Sequence, residues 1–299
     1  MIYPIVLFCY NRPSHLKRTV AALLRNDLAR ESELYIYSDG QKSEKDLDRV
    51  KDVRDYIEQI EGFKGVHIKK HLINIGLASS VISGVAEVLS KHKACIVMED
   101  DMEAAPYFLR FMNLALEQYE RDSRIFSISG YCPPINVPSS FPYDAFLFPR
   151  INSWGWATWR DRWTMVDWEV RDFNEFIRNR DKRRSLEEQG KDLPVMLLKQ
   201  QKGLISSWAV RFNYACFKAG MLNVYPKYSL IRNIGADGSG SHLRLTSKYE
   251  VALYSEELLP FPAESDKAIN VNFKNFFKPS IYRRVINKFK IASYIRSIS

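Results

Sequence analysis

The sequence predicts an α/β protein in which a mostly parallel central sheet is flanked by helices, and two observations lead to this class. Short apolar runs alternate four times with stretches of helical periodicity through the first half of the 299-residue chain, which is the pattern of repeated strand–helix units. The first of these runs, Pro4–Tyr10, is continuous, which is typical of a strand in a parallel sheet with helices on both faces. The chain is long enough for one large domain or two small ones.

The predicted elements follow one another in a regular order. Pro4–Tyr10 predicts the first strand, and Pro13 favours the start of a helix that runs to about Asn26. Leu34–Ser38 predicts a second strand, which the Asp39-Gly40 pair terminates. The later elements repeat the order: a helix over Leu47–Ile60, a strand over Val66–Lys70, a helix over Leu77–Ser90, a strand over Ala94–Met98 and a helix from Pro106 to about Arg121.

The second half of the sequence is less regular. Ile125–Ser129 predicts one more strand. Residues 131–150 are rich in proline, serine and aromatic residues, and predict a long loop with short extended pieces. Residues 170–203 are strongly charged and predict a helical insertion on the surface.

Three carboxylates, Glu99, Asp100 and Asp101, directly follow the fourth apolar run. Because side chains alternate along an extended chain, Glu99 and Asp101 are expected on one face and Asp100 on the other. Open α/β sheets bind ligands at the carboxyl ends of their strands. The triplet therefore favours a divalent metal held by one or two carboxylates, with phosphate oxygens and water as its other ligands. The alternative is a solvated acidic turn.

Polar residues also end the first two predicted strands, and they are expected at the same edge of the sheet. A carboxylate such as Asp39 can accept from the imide N–H of uracil. Arg12 can pair with a phosphate or with Asp39. Taken singly, Asp39 is equally well explained as a turn residue and Arg12 as a surface charge at a helix end.

Four of the six tryptophans lie between Trp154 and Trp163. Aromatic faces stack on sugars and on bases, which makes this segment a candidate ligand surface. Gly155, between two tryptophans, permits close approach of the backbone to a ligand. The alternative is an aromatic core cluster, and two or three of these tryptophans are expected to pack in that way.

A glycine- and serine-rich segment over Gly235–Ser241 predicts a mobile loop. The loop carries Asp237 and is followed by His242. A lid that closes over a ligand needs backbone freedom and a few polar anchors, which this loop combines. The alternative is a surface loop in which the two side chains stabilise turns.

The net charge of +9 is concentrated near the C-terminus. Residues 267–299 contain eight Lys or Arg and no acid, so residues 1–266 carry the difference between +9 and +8, which is +1. An apolar face at helical spacing opposes basic residues there, which indicates a basic amphipathic helix suited to an anionic membrane surface. The alternative is a helix that docks its apolar face on the body. The apolar face consists of Ile281, Tyr282, Val285, Ile286 and Phe289.

Composition limits the setting and the partners. Four cysteines without CxxC spacing favour a reducing compartment. No apolar stretch approaches the length of a spanning helix, and the N-terminus lacks the basic leader of a signal peptide. We therefore expect a cytoplasmic protein, with the tail at the inner face of the cell membrane. The near-neutral body argues against a nucleic-acid-binding protein.

The order of these motifs resembles that of nucleotide-sugar-dependent glycosyltransferases of the GT-A fold. It is most similar to the bacterial sugar transferases related to eukaryotic N-acetylglucosaminyltransferase I. The acidic block followed by Ala-Pro is the most specific part of a resemblance that covers roughly residues 3–245. The segments that carry it are Phe8–Arg12, Ser38–Gly40, Val97–Pro106, Ser153–Trp156 and Gly238–His242.

The resemblance implies a division of the chain and a function. Residues 1–265 would form the GT-A domain, with a nucleotide-sugar-binding half over 1–125 and an acceptor-side half over 126–265. Residues 266–299 would form the basic tail. The implied reaction is inverting transfer of a sugar, such as N-acetylglucosamine, from a UDP-sugar to a hydroxyl of a cell-surface glycan or lipid-linked acceptor.

The resemblance also implies roles for individual residues. Asp101 would bind Mn²⁺ or Mg²⁺ directly, while Glu99 and Asp100 would contact the ribose or the sugar. Asp39 and Arg12 would hold the uridine, and Gly238–His242 would order over the diphosphate. The residues expected to contact the nucleotide sugar are Tyr10, Arg12, Asp39, Glu99, Asp100, Trp154, Gly155, Trp156, Ser241 and His242.

The sequence departs from the resemblance at the catalytic base. In the eukaryotic relative a carboxylate lies just before a Trp-x-x-Arg segment, whereas here Ser206-Ser207 precedes Trp208–Arg211. Asp237 and Asp161 are the substitute candidates. Two other classes compete with the leading hypothesis: a sugar-phosphate nucleotidyltransferase, for which the glycine-rich loop after the first strand is missing, and a non-catalytic basic binding protein.

Overall fold

The computed structural model describes residues 1–238 and 245–298, and its first half is built from alternating strands and helices. The four strands of this half are parallel and lie in the order β3-β2-β1-β4. The strands are β1 (Ile5–Cys9), β2 (Glu33–Ser38), β3 (Gly65–Lys70) and β4 (Ala94–Glu99). The helices are α1 (Pro13–Leu24), α2 (Leu47–Ile57), α3 (Leu77–Lys91) and α4 (Phe108–Gln118). The predicted order of these elements is confirmed.

The second half extends the same sheet to nine strands, with the order β11-β7-β9-β6-β8-β4-β1-β2-β3. Two of the added strands, β8 and β7, run antiparallel to their neighbours β4, β6 and β9. A separate two-stranded ribbon joins β5 to β10. The bounds are β5 (Met102–Ala104), β6 (Ile125–Ser129), β7 (Ala145–Phe148), β8 (Trp156–Trp159), β9 (Leu222–Pro226), β10 (Ile231–Asn233) and β11 (Ala263–Glu264).

The sheet is covered on both faces, as its continuous apolar strands require. Ile5 and Leu7 of β1 point into one buried cluster, and Val6 and Phe8 point into the other. The first cluster includes apolar residues of α1 and α4, and the second includes those of α3 and α9. The predicted fold class, an α/β protein with a mostly parallel sheet flanked by helices, is confirmed.

The charged segment over residues 170–203 is helical, as predicted. Its helices pack around a buried cluster of their own, in which Phe176, Ile177 and Leu197 are almost completely buried. Helix α9 closes this cluster from the other side through Val210 and Tyr214. The helices of this region are α5 (Arg160–Thr164), α6 (Phe173–Arg178), α7 (Arg180–Glu187), α8 (Leu193–Gln201) and α9 (Trp208–Ala219).

The basic tail forms two helices, α10 (Lys267–Phe276) and α11 (Ile281–Ser297). Helix α10 belongs to the body, because Phe273 is fully buried against Phe146 and Phe148. No helix within 1–238 and 245–298 is long and apolar enough to cross a bilayer.

Candidate active site at the carboxyl edge of the sheet

The ends of β1 and β4 meet in a cluster of one arginine and three carboxylates. Arg12 Nη2 donates to Asp100 Oδ1 at 3.1 Å and to Asp101 Oδ2 at 2.5 Å. The backbone N–H of Tyr10 donates to Asp100 Oδ2 at 3.3 Å. The structure therefore brings together Tyr10, Arg12, Asp100 and Asp101, as the sequence predicted, but Arg12 pairs with the acidic triplet and not with Asp39.

The expected alternation of the triplet is wrong. Strand β4 ends at Glu99, and the chain turns at residues 100 and 101. The two-residue periodicity of a strand stops at that turn, so Asp100 and Asp101 both face Arg12. Glu99 keeps the strand geometry and lies opposite Phe8 in the β1–β4 register.

The cluster holds more negative charge than Arg12 can neutralise. Burial, together with the charges of Asp101 and Asp100, raises the pKa of Glu99 to about 8. Burial is also the main cause that raises the pKa of Asp100 to about 6, against the opposing effect of Arg12. Burial disfavours the charge of Arg12 itself, but the two aspartates outweigh it and raise the Arg12 pKa. Elevated carboxylate pKa values are common at functional sites, and a cation bound nearby would lower the pKa values of Glu99 and Asp100.

Two buried polar atoms of this cluster have no hydrogen-bond partner in the part of the chain that the structure describes. They are Oδ1 of Asp101, an acceptor, and Nη1 of Arg12, a donor. A buried unpaired atom costs free energy, so such atoms usually mark a place for a ligand or an ion. An Mn²⁺ or Mg²⁺ ion suits the free carboxylate oxygen of Asp101. No three acidic, His or Cys side chains among residues 1–238 and 245–298 converge to hold a metal.

Asp39 lies at the end of β2, where its carboxylate is 6% exposed and organises the neighbouring loop. Oδ1 accepts the backbone N–H groups of Gly40 and Ile75, both at 2.9 Å. Oδ2 accepts the N–H of Gly76 at 2.9 Å. A carboxylate offers about four acceptor positions, and three of those on Asp39 are used by backbone N–H groups within residues 1–238 and 245–298.

A loop that follows β10 covers the acidic cluster. The N–H of Ile234 donates to the carbonyl oxygen of Asp101 at 2.8 Å. Gly235 lies so close that a Cβ atom there would collide with the Asp101 carboxylate and the Arg12 guanidinium. Asp237 Oδ2 lies 3.1 Å from Nε2 of His15 in the first turn of α1. The predicted residues Ser241 and His242 lie outside the described part of the chain.

Glu103 fixes the two elements that carry this loop and Arg12. Glu103 is 8% exposed. Its carboxylate accepts hydrogen bonds from Arg18 of α1 at 2.9 Å and from Arg232 of β10 at 2.5 Å. Burial alone would raise the pKa of Glu103, but the two arginines outweigh burial and lower it. The sequence analysis missed this ion-pair bridge, because the β5–β10 pairing joins residues that are far apart in the chain.

The tryptophan segment divides between the core and the site. Trp156 is 1% exposed and stacks on Trp208 and Trp163, with ring centroids 4.8 and 5.9 Å away. Its indole is therefore core, and its predicted role as a ligand contact does not fit the structure. Trp154 is only partly buried, and it lies with Gly155 at the start of β8. Because β8 runs antiparallel to β4, its start falls at the carboxyl edge that carries Asp101.

The same strand direction rules out Asp161 as a base for this site. Asp161 follows the end of β8, which pairs with the beginning of β4 through Trp159 and Ala94. It therefore lies at the opposite edge of the sheet from Asp101, with its carboxylate exposed and paired with Arg162. The prediction for Asp161 is wrong, since the sequence did not reveal that β8 is antiparallel.

The Trp208–Arg211 segment begins α9, and the serine before it has a structural role. Ser207 is the N-cap residue, and its hydroxyl accepts the N–H of Val210 at 3.3 Å. Arg211 donates to the carbonyl oxygens of Ser207 and Trp168, both at 3.1 Å. This segment therefore stabilises the helix start, which leaves Asp237 as the predicted base that lies at the carboxyl edge.

The α/β architecture with its large, mostly parallel sheet is consistent with the GT-A fold. Residues 5–139 match the model of the family described as Glycosyl transferase family 2. The matched segment contains β1 to β4 and the whole Arg12–Asp101 cluster. The match supports the predicted enzyme class, a glycosyltransferase. No curated protein matches the sequence.

Several solved structures are similar to this chain, all at low identity. The mannosyltransferase PcManGT from Pyrobaculum calidifontis, in complex with GDP-Man and Mn²⁺, is 13% identical over 54% of this chain and 45% of its own, with a TM-score of 0.38. S. aureus TarS 1-349 in complex with UDP is 11% identical over 77% of this chain and 60% of its own, with a TM-score of 0.43. A cytidylyltransferase from Leptospira borgpetersenii is 10% identical over 56% and 64%, with a TM-score of 0.33. The chain spans less than two thirds of each of them.

Proposed function

We propose that this protein is a metal-dependent, inverting glycosyltransferase that uses a UDP-sugar as donor. The observation that carries the proposal is a pair of buried atoms at the carboxyl edge, Asp101 Oδ1 and Arg12 Nη1, for which residues 1–238 and 245–298 provide no hydrogen-bond partner. One is an acceptor that needs a cation and the other is a donor that needs an anion. A metal–diphosphate ion pair supplies both partners at once.

In this proposal Asp101 holds Mn²⁺ or Mg²⁺ through Oδ1, and Arg12 donates from Nη1 to an oxygen of the diphosphate. When bound, the metal neutralises the negative charge that grows on the departing diphosphate. Arg12 already contacts Asp100 and Asp101 through Nη2, so its guanidinium is oriented before the donor arrives. Such preorganisation lowers the cost of stabilising charge in the transition state.

The other proposed contacts with the UDP-sugar come from residues at the ends of the strands. The Asp39 carboxylate is assigned to the imide N–H of uracil, which distinguishes uracil from cytosine. Glu99 and Asp100 lie beside the metal position and are assigned to the ribose or the transferred sugar, in keeping with the resemblance to the N-acetylglucosaminyltransferase I relatives. Trp154 and Gly155 lie at the same edge and are assigned to the place where the transferred sugar meets the acceptor.

The proposed base is Asp237. It belongs to the loop that covers the acidic cluster, its side chain is 47% exposed, and His15 orients it. A carboxylate in this position can accept the proton of an acceptor hydroxyl that attacks the face opposite the leaving diphosphate. The base and the leaving group then lie on opposite faces of the sugar, which gives inversion.

A screen of nucleotide sugars for hydrolysis without an acceptor tests the proposal. We expect a UDP-sugar to be hydrolysed in the presence of Mn²⁺ or Mg²⁺ and to be stable when EDTA is added. Nucleotide release is measured for UDP-, GDP- and CDP-linked sugars at equal concentration. Hydrolysis that is unchanged by EDTA, or hydrolysis of GDP- or CDP-sugars without hydrolysis of any UDP-sugar, contradicts the proposal.

We further propose that α11 places the enzyme on an anionic membrane surface. Its docking face, which includes Ile291, Tyr294 and Ile295, packs against α6 and α8. The predicted apolar face is largely separate from this docking face. Its members Ile281 and Phe289 are 76% and 68% exposed. An outward apolar ridge flanked by basic residues is suited to the headgroup region of a membrane.

Serine substitution of Ile281, Val285 and Phe289 together should abolish sedimentation of the protein with vesicles that contain phosphatidylglycerol. These side chains lie outside the core, so the melting temperature should stay within about 2 °C of the wild type. Sedimentation of the wild type should weaken as salt screens the basic residues.

A matched control replaces three exposed leucines outside α11 by serine. Leu72, Leu204 and Leu245 are 95%, 67% and 79% exposed and lie outside α11. This variant should sediment like the wild type. Unchanged sedimentation of the α11 variant would contradict the proposal that α11 binds a membrane surface.

A further inference from the structure

A cavity of about 210 Å³ lies beside Trp154 and is separate from the Arg12–Asp101 cluster. The partly buried Trp154 forms one wall, and α8 and α9 contribute further walls through Met196 and Ala209. Since Trp154 stands at the start of β8, the cavity adjoins the carboxyl edge of the sheet. The lining of the cavity includes Tyr131, Arg150, Asn152, Trp154, Tyr249 and Phe277.

The walls present aromatic rings at right angles to one another. The Trp154 ring lies edge-on to Tyr131 and to Tyr249, with centroid distances of 4.7 and 5.4 Å. The hydroxyl of Tyr131 donates to the carbonyl oxygen of Tyr249 at 3.0 Å, which fixes this corner. Rings held in this way offer flat faces to the C–H groups of a sugar.

The polar groups that line the cavity are amide and hydroxyl groups and one arginine that is paired with a carboxylate. Asn152 Oδ1 accepts a hydrogen bond from the backbone N–H of Trp154 at 2.8 Å. This bond holds the Asn152 side-chain amide near Trp154. Arg150 donates from both Nη atoms to Asp192, at 2.8 and 2.9 Å, and its guanidinium lies 4.0 Å from the Phe277 ring centroid. Because Asp192 takes up the charge of Arg150, the cavity suits an uncharged ligand.

The size of the cavity limits the ligand. Pockets for drug-sized molecules start at about 300 Å³, and the volume of about 210 Å³ here is smaller. One sugar ring fits this space better than an oligosaccharide. Aromatic faces, amide groups and limited volume together specify a single ring with hydroxyl groups.

We propose that this cavity is the acceptor subsite and that it binds one neutral sugar ring of the glycan to be extended. The inference rests on the proposed glycosyl transfer, because it names the acceptor of that reaction. One wall of the cavity comes from Phe277, which immediately follows α10 and precedes α11. The acceptor sugar would therefore bind next to the helix whose ridge is assigned to the membrane.

Saturation-transfer-difference NMR with methyl glycosides tests the subsite without any donor. The probes are the methyl glycosides of glucose, galactose, mannose, rhamnose and N-acetylglucosamine, with methyl glucuronide as the anionic comparison. We expect a neutral glycoside to bind and Ala209→Phe, which fills the cavity, to weaken that binding at least tenfold. Ala219→Phe makes the same substitution at the exposed end of α9, and should bind like the wild type.

A second pair of variants does not depend on the folding of Ala209→Phe. Tyr249→Phe retains the ring and should keep the affinity within about twofold, whereas Tyr249→Leu loses the aromatic face and should bind at least about tenfold more weakly, a difference of about 1.4 kcal/mol or more. Circular dichroism checks the fold of each variant.

The outcomes separate this inference from the proposed function. If no neutral glycoside binds, if glucuronide is preferred, or if the Tyr249 pair binds equally well, the subsite assignment is overturned. If a glycoside binds as expected but no UDP-sugar is hydrolysed with Mn²⁺, the proposed transfer fails while the sugar site stands. Conversion of hydrolysis into transfer when the bound glycoside is added supports both.

Discussion

Replacing Asp101 by asparagine is expected to lower Mn²⁺-dependent hydrolysis of the UDP-sugar by at least about 100-fold, the loss typical when a group that stabilises transition-state charge is removed. The amide keeps the shape of the side chain but loses the negative charge that attracts the metal. Arg12 would still pair with Asp100, which lies 3.1 Å away, so the arginine stays in place. Nucleotide release at saturating metal measures the effect.

The matched control for Asp101→Asn is Asp161→Asn. Asp161 was also predicted to act in catalysis, but it lies at the opposite edge of the sheet with its side chain 66% exposed. Its amide variant should hydrolyse the donor within about twofold of the wild type, as surface changes usually have small effects. Equal turnover of the Asp101 variant and the wild type would contradict the claim that Asp101 binds a metal needed for hydrolysis.

Trp156→Ala is expected to lower the free energy of unfolding by about 3–5 kcal/mol, the range for truncating a large aromatic side chain in a core. The indole is 1% exposed, and it packs against Trp163, Trp208 and Phe212. Truncation leaves a cavity between the sheet and α9. Urea denaturation monitored by circular dichroism measures the loss.

The comparison with Trp154→Ala separates packing from ligand contact. Trp154 is only partly buried, so its truncation should cost less stability than that of Trp156 while lowering turnover in the folded enzyme. A Trp156→Ala variant that is as stable as the wild type but inactive would mean that this indole contacts the donor after all.

Local patterns were sufficient to predict the first half of the fold. Strands β1 and β4 are almost entirely apolar, and each strand from β1 to β4 precedes a helix whose buried residues recur at helical spacing. Such signals need only neighbouring residues. The polar ends of these strands were predicted to meet for the same reason, because parallel strands place their carboxyl ends at one edge.

Features that depend on distant residues could not be predicted. The direction of β8 decides that Trp154 lies at the carboxyl edge of the sheet and that Asp161 lies at the opposite edge, and a four-residue strand carries no signal of its direction. The ribbon between β5 and β10 brings Gly235 onto Asp101 from a distant part of the chain. The partner of Arg12 depended on the turn after Glu99, where the strand periodicity ends.

Calorimetric titration of UDP into the wild-type protein tests the central claim most directly. If Asp101 and Arg12 together bind a metal–diphosphate pair, Mn²⁺ should tighten UDP binding at least about tenfold relative to EDTA, a difference of about 1.4 kcal/mol. The Asp101→Asn variant should show no such gain. Equal UDP affinity of the wild type in Mn²⁺ and in EDTA would contradict the account.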